Sequence, residues 1–235
     1  MKAVILAAGR GERLGGLTAD RPKALVSLRG MPLIDYTLDF LVHHPFSEII
    51  VVGGAFLPLL SDHLKNRSGP IRLVNNPHFE QGNIVSLMAA TEYLNEEFLL
   101  MNADHIYPKR LLPALVSKAR DITAVCDFNR TLGEDDMKIE LDGERKIRRI
   151  AKRLERYDGG YIGMTWCGYE HVTAYLKALQ ATLSRKGTSA VVEDILQTLA
   201  DQGHPARIFD ASPYPWFEID TPAELIQTEQ ILSQS

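Results

Sequence analysis

Three stretches of this chain combine charged side chains with a backbone able to present them. The first, ILAAGRGERL (residues 5–14), is an apolar run that stops at Ala7-Ala8-Gly9 and passes into Arg10, Gly11 and Arg13. Small residues let a flat base or a phosphate approach the main chain. Guanidinium forks and glycine amides suit phosphate oxygens. The stretch lacks the Lys-Ser/Thr ending of a P-loop and the GxGxxG of a dinucleotide fold, so alone it reads equally as a phosphate cradle or a plain turn. The second, RPKAL (residues 21–25), places Lys23 directly after a stiffening proline, which benefits a phosphate-binding ammonium and not a solvated one. The third is a pair of carboxylates, Asp104 after the apolar run FLLM and Asp220 in FEIDTP. A charge at the end of a buried strand is costly unless compensated. One magnesium ion on a nucleotide phosphate would compensate both. Helix capping is the structural alternative, and the better one for Asp220 taken alone.

The elements that must position these groups alternate between strand and helix. Lys2–Ala7, Glu48–Gly53, Ile71–Val74 and Phe98–Met101 read as buried strands. Pro32–His43, Leu57–Lys65 and Ile84–Leu94 read as the helices between them, the first with Ile34, Leu38 and Leu41 inward and Asp35 and Asp39 outward. Such alternation implies a parallel sheet covered on both faces, with ligands outside the carboxyl ends of its strands. The second half changes character. Met137–Leu141 and Lys146–Ala151 form a hairpin pattern about Asp142-Gly143, and Tyr161–Trp166 is a further strand. Helical patterns follow near Tyr169–Leu183 and Ser189–Asp201, then short strands at Arg207–Asp210 and Trp216–Ile219, and a helix from Pro222. The 235 residues are expected to form one α/β domain, with a nucleotide-binding half (about 1–125) and an acceptor-binding half (about 126–235).

Composition narrows the function classes. A net charge of -4 and a pI near 6.0 do not suit a nucleic-acid-coating surface. No apolar run approaches the ~20 residues of a membrane helix, and the first strand meets Gly-Arg too soon for a secretory signal. Cys126 and Cys167 read as buried thiols of a cytoplasmic protein, and the histidines show no zinc spacing.

Taken together, AAGRGERL, RPKAL, the strand-end Asp104 and FEIDTP resemble the nucleotidyltransferases that make nucleotide-activated sugars and alcohols, from Met1 to about Leu225. Sugar-nucleotide pyrophosphorylases of that superfamily usually carry a Leu-Gly-Thr-Ala-like turn before the third helix. This chain has QGNIVSL (residues 81–87) there, and Thr221-Pro222 where many have a glycine. With ADHIY, MKIEL…IRRIAKRL and VVEDIL, these pieces are similar to CTP-dependent cytidylyltransferases acting on inositol 1-phosphate, phosphocholine or aminoethylphosphonate.

That resemblance implies a three-layer, Rossmann-like, mostly parallel mixed sheet with helices on both faces. It implies a magnesium-dependent enzyme whose partners are CTP and a small phosphomonoester or phosphonate, not nucleic acid or a membrane. Oligomeric state is left open, a homodimer included. Ala7, Ala8 and Gly9 would face base and ribose, with Gln81, Asn83 and Ser86 beside the pyrimidine. Arg13 and Lys23 would hold the triphosphate, beside the phosphate cradle of Arg10 and Gly11, and Arg13, Lys23 and Lys152 would be the catalytic groups. Asp104 and Asp220 would ligate magnesium, and Lys152 would reach the acceptor phosphate with Lys138 assisting. Tyr161, Glu193, Asp194 and Trp216 would line the acceptor end. A UDP- or GDP-sugar pyrophosphorylase is the rival reading. A non-catalytic nucleotide-sensing subunit ranks lower, because each phosphate and metal position is filled.

Overall fold

A computed structural model describes residues 1–42 and 44–234. The strands in chain order are β1 (Lys2–Leu6), β2 (Ser27–Leu28), β3 (Met31–Pro32), β4 (Glu48–Gly53), β5 (Ile71–Asn75), β6 (Phe98–Asn102), β7 (His105–Ile106), β8 (Ile122–Asp127), β9 (Lys138–Leu141), β10 (Ile147–Ala151), β11 (Gly159–Cys167), β12 (Arg207–Asp210) and β13 (Phe217–Glu218). The α-helices are α1 (Leu33–Leu41), α2 (Leu57–Leu64), α3 (Asn83–Ala89), α4 (Leu111–Lys118), α5 (Val172–Lys186), α6 (Glu193–Asp201) and α7 (Pro222–Ser233). The expected end of α1 at His43 lies outside the described residues.

The central sheet has nine strands drawn from both halves of the chain. β5, β4, β1 and β6 run parallel, and β11 joins β6 antiparallel. β8 then pairs antiparallel with β11, β12 lies parallel to β8, and the β9–β10 hairpin completes the sheet. β1 is apolar on both faces because both are covered. Val4 and Leu6 pack with α3, α5 and α6, whereas Ala3, Ile5 and Ala7 pack with α1, α2 and α4. The result is a three-layer α/β/α mixed sheet, as the alternation of elements implies. No described helix is long and apolar enough to cross a membrane.

Three features depart from the sequence reading. Ile122–Asp127, assigned no element, is a fully buried strand of the sheet. Asp35, expected outward, is 2% exposed, with its carboxylate 2.8 Å from His63 Nε2 on α2 and paired with the Arg67 guanidinium just beyond that helix, which compensates its charge. The strand near Tyr161 is longer than expected and kinks at Gly163 (φ +73°), where the register to β8 breaks. A Cβ at Gly163 would sit 2.9 Å from His105 Nε2, so the kink makes room for that ring.

Candidate active site

β1 and β6 are adjacent, with Leu6 opposite Asn102, so their carboxyl ends deliver the first loop and Asp104 to the same place. Ala7 N–H donates to Val52 O at 2.9 Å and Ala103 N–H to Leu6 O at 3.1 Å, which extends the sheet geometry into both turns. Gly11 then takes φ +78°, and a Cβ there would meet Lys23 Cβ at 2.8 Å. The glycine thus serves two ends: a left-handed turn and close packing against the Lys23 stem. Pro22 holds an extended conformation before the short 3-10 turn Lys23–Leu25, which aims the lysine inward.

Lys23 is 9% exposed, and its ammonium lies between two carboxylates. Nζ is 2.6 Å from Asp104 Oδ2 and also pairs with Asp220 Oδ1. The remaining carboxylate oxygens are engaged as well. His105 Nδ1–H donates to Asp104 Oδ1 at 2.6 Å, and Arg13 Nη2 donates to Asp220 Oδ2 at 2.6 Å. Burial alone disfavours the Lys23 ammonium, but Asp104 and Asp220 outweigh it and raise its pKa. Burial likewise opposes the Asp104 charge, yet Lys23 and then His105 hold its carboxyl well below the usual range. Burial also opposes the His105 imidazolium, which Glu218 and Asp104 raise. Glu218 is pushed up to about 7 by burial, with Asp104 and Asp220 adding to it against the pull of His105.

Neither aspartate caps a helix. Thr221 caps α7 in a capping box with Glu224, whose Oε2 accepts from the Asp220 and Thr221 amides at 2.8 Å. Asp104 precedes β7 rather than α4, whose N-cap is Arg110. Neither carboxylate is thus committed to a helix end, and both are spent on cationic partners. Two hard oxygen donors converging on one positive charge suit a magnesium ion that takes the ammonium's place. Among the described residues, the groups able to share one ion are Asp104, His105 and Glu218, whose ligand atoms lie within 4.8 Å of one another. Asp104 is common to both sets.

Three cavities share Asp104 in their walls, two of them with Lys23. One of about 150 Å³ is lined by Ala7, Ala8, Gly9, Asn83, Ser86 and Asn102, the wall expected to face the nucleoside. A second, about 670 Å³, opens beside Arg10, Gly11 and Arg13. The third, about 510 Å³, is lined by Arg13, Lys152, Tyr161, Glu193 and Glu218 among others. Arg13 and Lys152 meet there through Asp135, which lies 3.3 Å from each.

Other residues singled out in the sequence lie elsewhere or are occupied. Gln81 is exposed and lines none of these three cavities. Asn83 Oδ1 accepts from Val192 N–H at 2.9 Å, and Ser86 Oγ accepts from Asn76 Nδ2 at 3.0 Å, so both help to shape the wall. Lys138 is buried and donates to the carbonyls of Gly133, Lys152 and Asp136 at 2.5, 2.9 and 3.4 Å. Its donors are spent on the main chain and not offered to the cavity. Asp194 accepts from Lys186 and from Val191 N–H, leaving Glu193 as the cavity-facing member of that pair. Trp216 lies behind His105, stacked at 5.6 Å and 6° between planes, and donates to Asp127 Oδ2 at 2.8 Å. It supports the His105 ring and does not line the third cavity. His105, Glu218 and Asp135 are functional neighbours to which the sequence assigns no role. The Asp104-His105 dipeptide and the acidic pair Glu218 and Asp220 in FEIDTP signal the first two, and nothing local signals Asp135.

Residues 3–215 match the family model described as the MobA-like NTP transferase domain. The chain belongs to that family. It is 30% identical over 234 residues to the bifunctional IPC transferase and DIPP synthase of Rubrobacter xylanophilus, covering 98% of the chain and 51% of that protein. It is 35% identical over 107 residues to the choline-phosphate cytidylyltransferase of Streptococcus pneumoniae, 46% of each. The chain spans about half the length of these curated relatives. Among solved structures it resembles the inositol-1-phosphate CTP transferase of T. maritima, with a TM-score of 0.85 at 25% identity, covering 99% of this chain and 94% of that one.

Proposed function

We propose that this NTP transferase is a magnesium-dependent cytidylyltransferase that moves CMP from CTP to a small phosphate or phosphonate. The observation that carries this reading is the Lys23–Asp104–Asp220 cluster, which lies between the small pocket walled by Ala7, Ala8 and Gly9 and a larger charged cavity. An acceptor phosphate oxygen attacks the α-phosphorus of CTP. The new P–O bond forms as the bond to the β-phosphate breaks, and pyrophosphate leaves. A phosphate monoester has a second pKa of ~6, so the nucleophile is already ionised near neutrality and no general base is needed. Catalysis then rests on bringing two anions together and neutralising their charge.

Each residue has a task in that scheme. Ala7, Ala8 and Gly9 leave room for cytosine and ribose, with Asn83 and Ser86 on the facing wall. Nucleotide binding draws Lys23 from the carboxylates onto the α-phosphate, while Arg13 holds the triphosphate and Lys152 the acceptor phosphate. Asp104 and Asp220 would hold the magnesium, which supplies charge neutralisation on the triphosphate. Lys138 acts one step back, through the Lys152 and Gly133 carbonyls. The 510 Å³ cavity is lined by eight acidic side chains (Asp104, Glu134, Asp135, Asp136, Glu193, Glu218, Asp220, Glu224) and three permanent cations (Arg13, Arg130, Lys152), with Lys23 behind them neutralising part of the Asp104 and Asp220 charge. That balance favours an acceptor with a cationic amine over a neutral polyol. Glu193, whose pKa is raised by burial first and then by Asp194, is the carboxylate that such a head would relieve.

A pyrophosphate-release panel tests the reading. It crosses CTP, UTP and GTP with phosphocholine, aminoethylphosphonate, inositol 1-phosphate and hexose 1-phosphates. Turnover with CTP and an amino-alcohol phosphate or phosphonate is expected. Turnover only with UTP or GTP and a hexose phosphate would overturn it.

A further inference from the structure

Asp135 stands in the loop between β8 and β9, where a run of acidic residues would ordinarily be a solvated surface turn. Its carboxylate instead spans the site. Oδ2 lies 3.3 Å from Arg13 Nη1, and Oδ1 lies 3.3 Å from Lys152 Nζ. One planar anion thus joins the two side chains assigned to the nucleotide and acceptor phosphates, much as two oxygens of a phosphate would.

The loop that carries Asp135 is anchored. Asp136 Oδ2 accepts from Gly133 N–H at 2.6 Å, and the buried Lys138 ammonium ties the Gly133 and Asp136 carbonyls to that of Lys152. Lys152 and Asp135 are therefore held to one frame. The Asp135 side chain itself is 74% exposed, so withdrawing it to solvent carries no burial penalty. Arg13 keeps its second carboxylate partner, Asp220, when Asp135 leaves.

We propose that Asp135 is a specificity-determining residue, an internal anion that occupies Arg13 and Lys152 until a phosphate or phosphonate displaces it. A dianion with several oxygens can out-compete one carboxylate for two cations. Water or an unphosphorylated alcohol cannot. Asp135 thereby selects for a phosphorylated acceptor and limits wasteful attack of water on the bound nucleotide. This rests on the assignment of Arg13 and Lys152 to phosphates in the proposed function.

The test is calorimetric titration of inorganic phosphate into the nucleotide-free protein, comparing the native chain with Asp135→Asn and Glu134→Gln. Relieving two exposed ion pairs predicts phosphate binding about two- to thirtyfold tighter in Asp135→Asn. Glu134→Gln, which removes the same charge one residue away, is expected to change binding less than twofold. A second readout is the acceptor-independent loss of CTP, expected to rise in Asp135→Asn while the KM for the acceptor falls. Phosphate binding that is unchanged, undetected in all three proteins, weaker in Asp135→Asn, or equally tightened by Glu134→Gln overturns the proposal. Failure of the cytidylyltransferase reading has a different signature: phosphate binding tightens as expected, but no CTP is turned over with any acceptor.

Discussion

Replacing Lys23 by methionine keeps the unbranched stem, one atom shorter, and removes its charge, leaving Asp104 and Asp220 facing each other without their shared cation. Breaking a buried ion pair by deleting one partner costs about 3–5 kcal/mol. Here the carboxylates retain 21% and 18% side-chain exposure and keep His105 and Arg13 as partners. A discounted loss of about 2–3 kcal/mol is therefore expected. For a chain of this size each kcal/mol moves Tm by about 2–4 °C, so Lys23→Met should melt about 4–12 °C lower in chelator. Magnesium should restore much of this, since a ligand at a hundred times its Kd contributes about 2.7 kcal/mol. The native protein should respond less, because its ammonium competes for the same place. Thermal unfolding followed by near-UV circular dichroism, with chelator and with millimolar magnesium, reads both effects. Equal stability of the two proteins in chelator, or equal magnesium shifts, would show that Lys23 does not hold a cation seat.

Other perturbations probe the same frame. Lys23→Ala and Asp104→Ala should each lower turnover at least about a hundredfold in pyrophosphate release, by loss of transition-state charge stabilisation; near-native rates from folded variants would refute their roles. Gly11→Ala forces a left-handed alanine against Lys23 and should cost about 1–3 kcal/mol in urea unfolding, with activity falling too; an unchanged midpoint would contradict the packing described. Because the Glu193 pKa is raised from its ordinary 4.5, the folded state prefers the neutral carboxyl, so its contribution is full below that pH and is lost as pH rises through the folded value. Glu193→Gln should therefore melt higher than the native chain at pH 8 and close to it at pH 4, a difference that a reversed pH trend would exclude.

Much of this was written locally. The apolar β1 run, the small residues after it and the proline before Lys23 report their roles through short-range rules of backbone freedom and burial. Asp104 and Asp220 were legible as a pair because each ends an apolar run. What escaped depends on partners distant in the chain. Asp135 reaches Arg13 across 122 positions, and nothing in an acidic loop announces that bridge. Lys138 looks like an exposed hairpin charge until the β8–β9 loop folds its carbonyls over it. Trp216 offered an aromatic face for a cationic acceptor, but the kink at Gly163 admits His105, which takes that face instead. The strand Ile122–Asp127 was readable as an apolar run bounded by aspartates. Its place beside β11 depends on long-range pairing.

The central claim is that an acceptor phosphate oxygen displaces pyrophosphate from the α-phosphorus of CTP within this cleft. Heavy-oxygen labelling of the acceptor phosphate, with mass spectrometry of both products, tests it directly. The account predicts that all of the label appears in the cytidylylated product, and none in pyrophosphate, in step with CTP consumed. Label in pyrophosphate, or CTP consumed equally fast without acceptor, would contradict it.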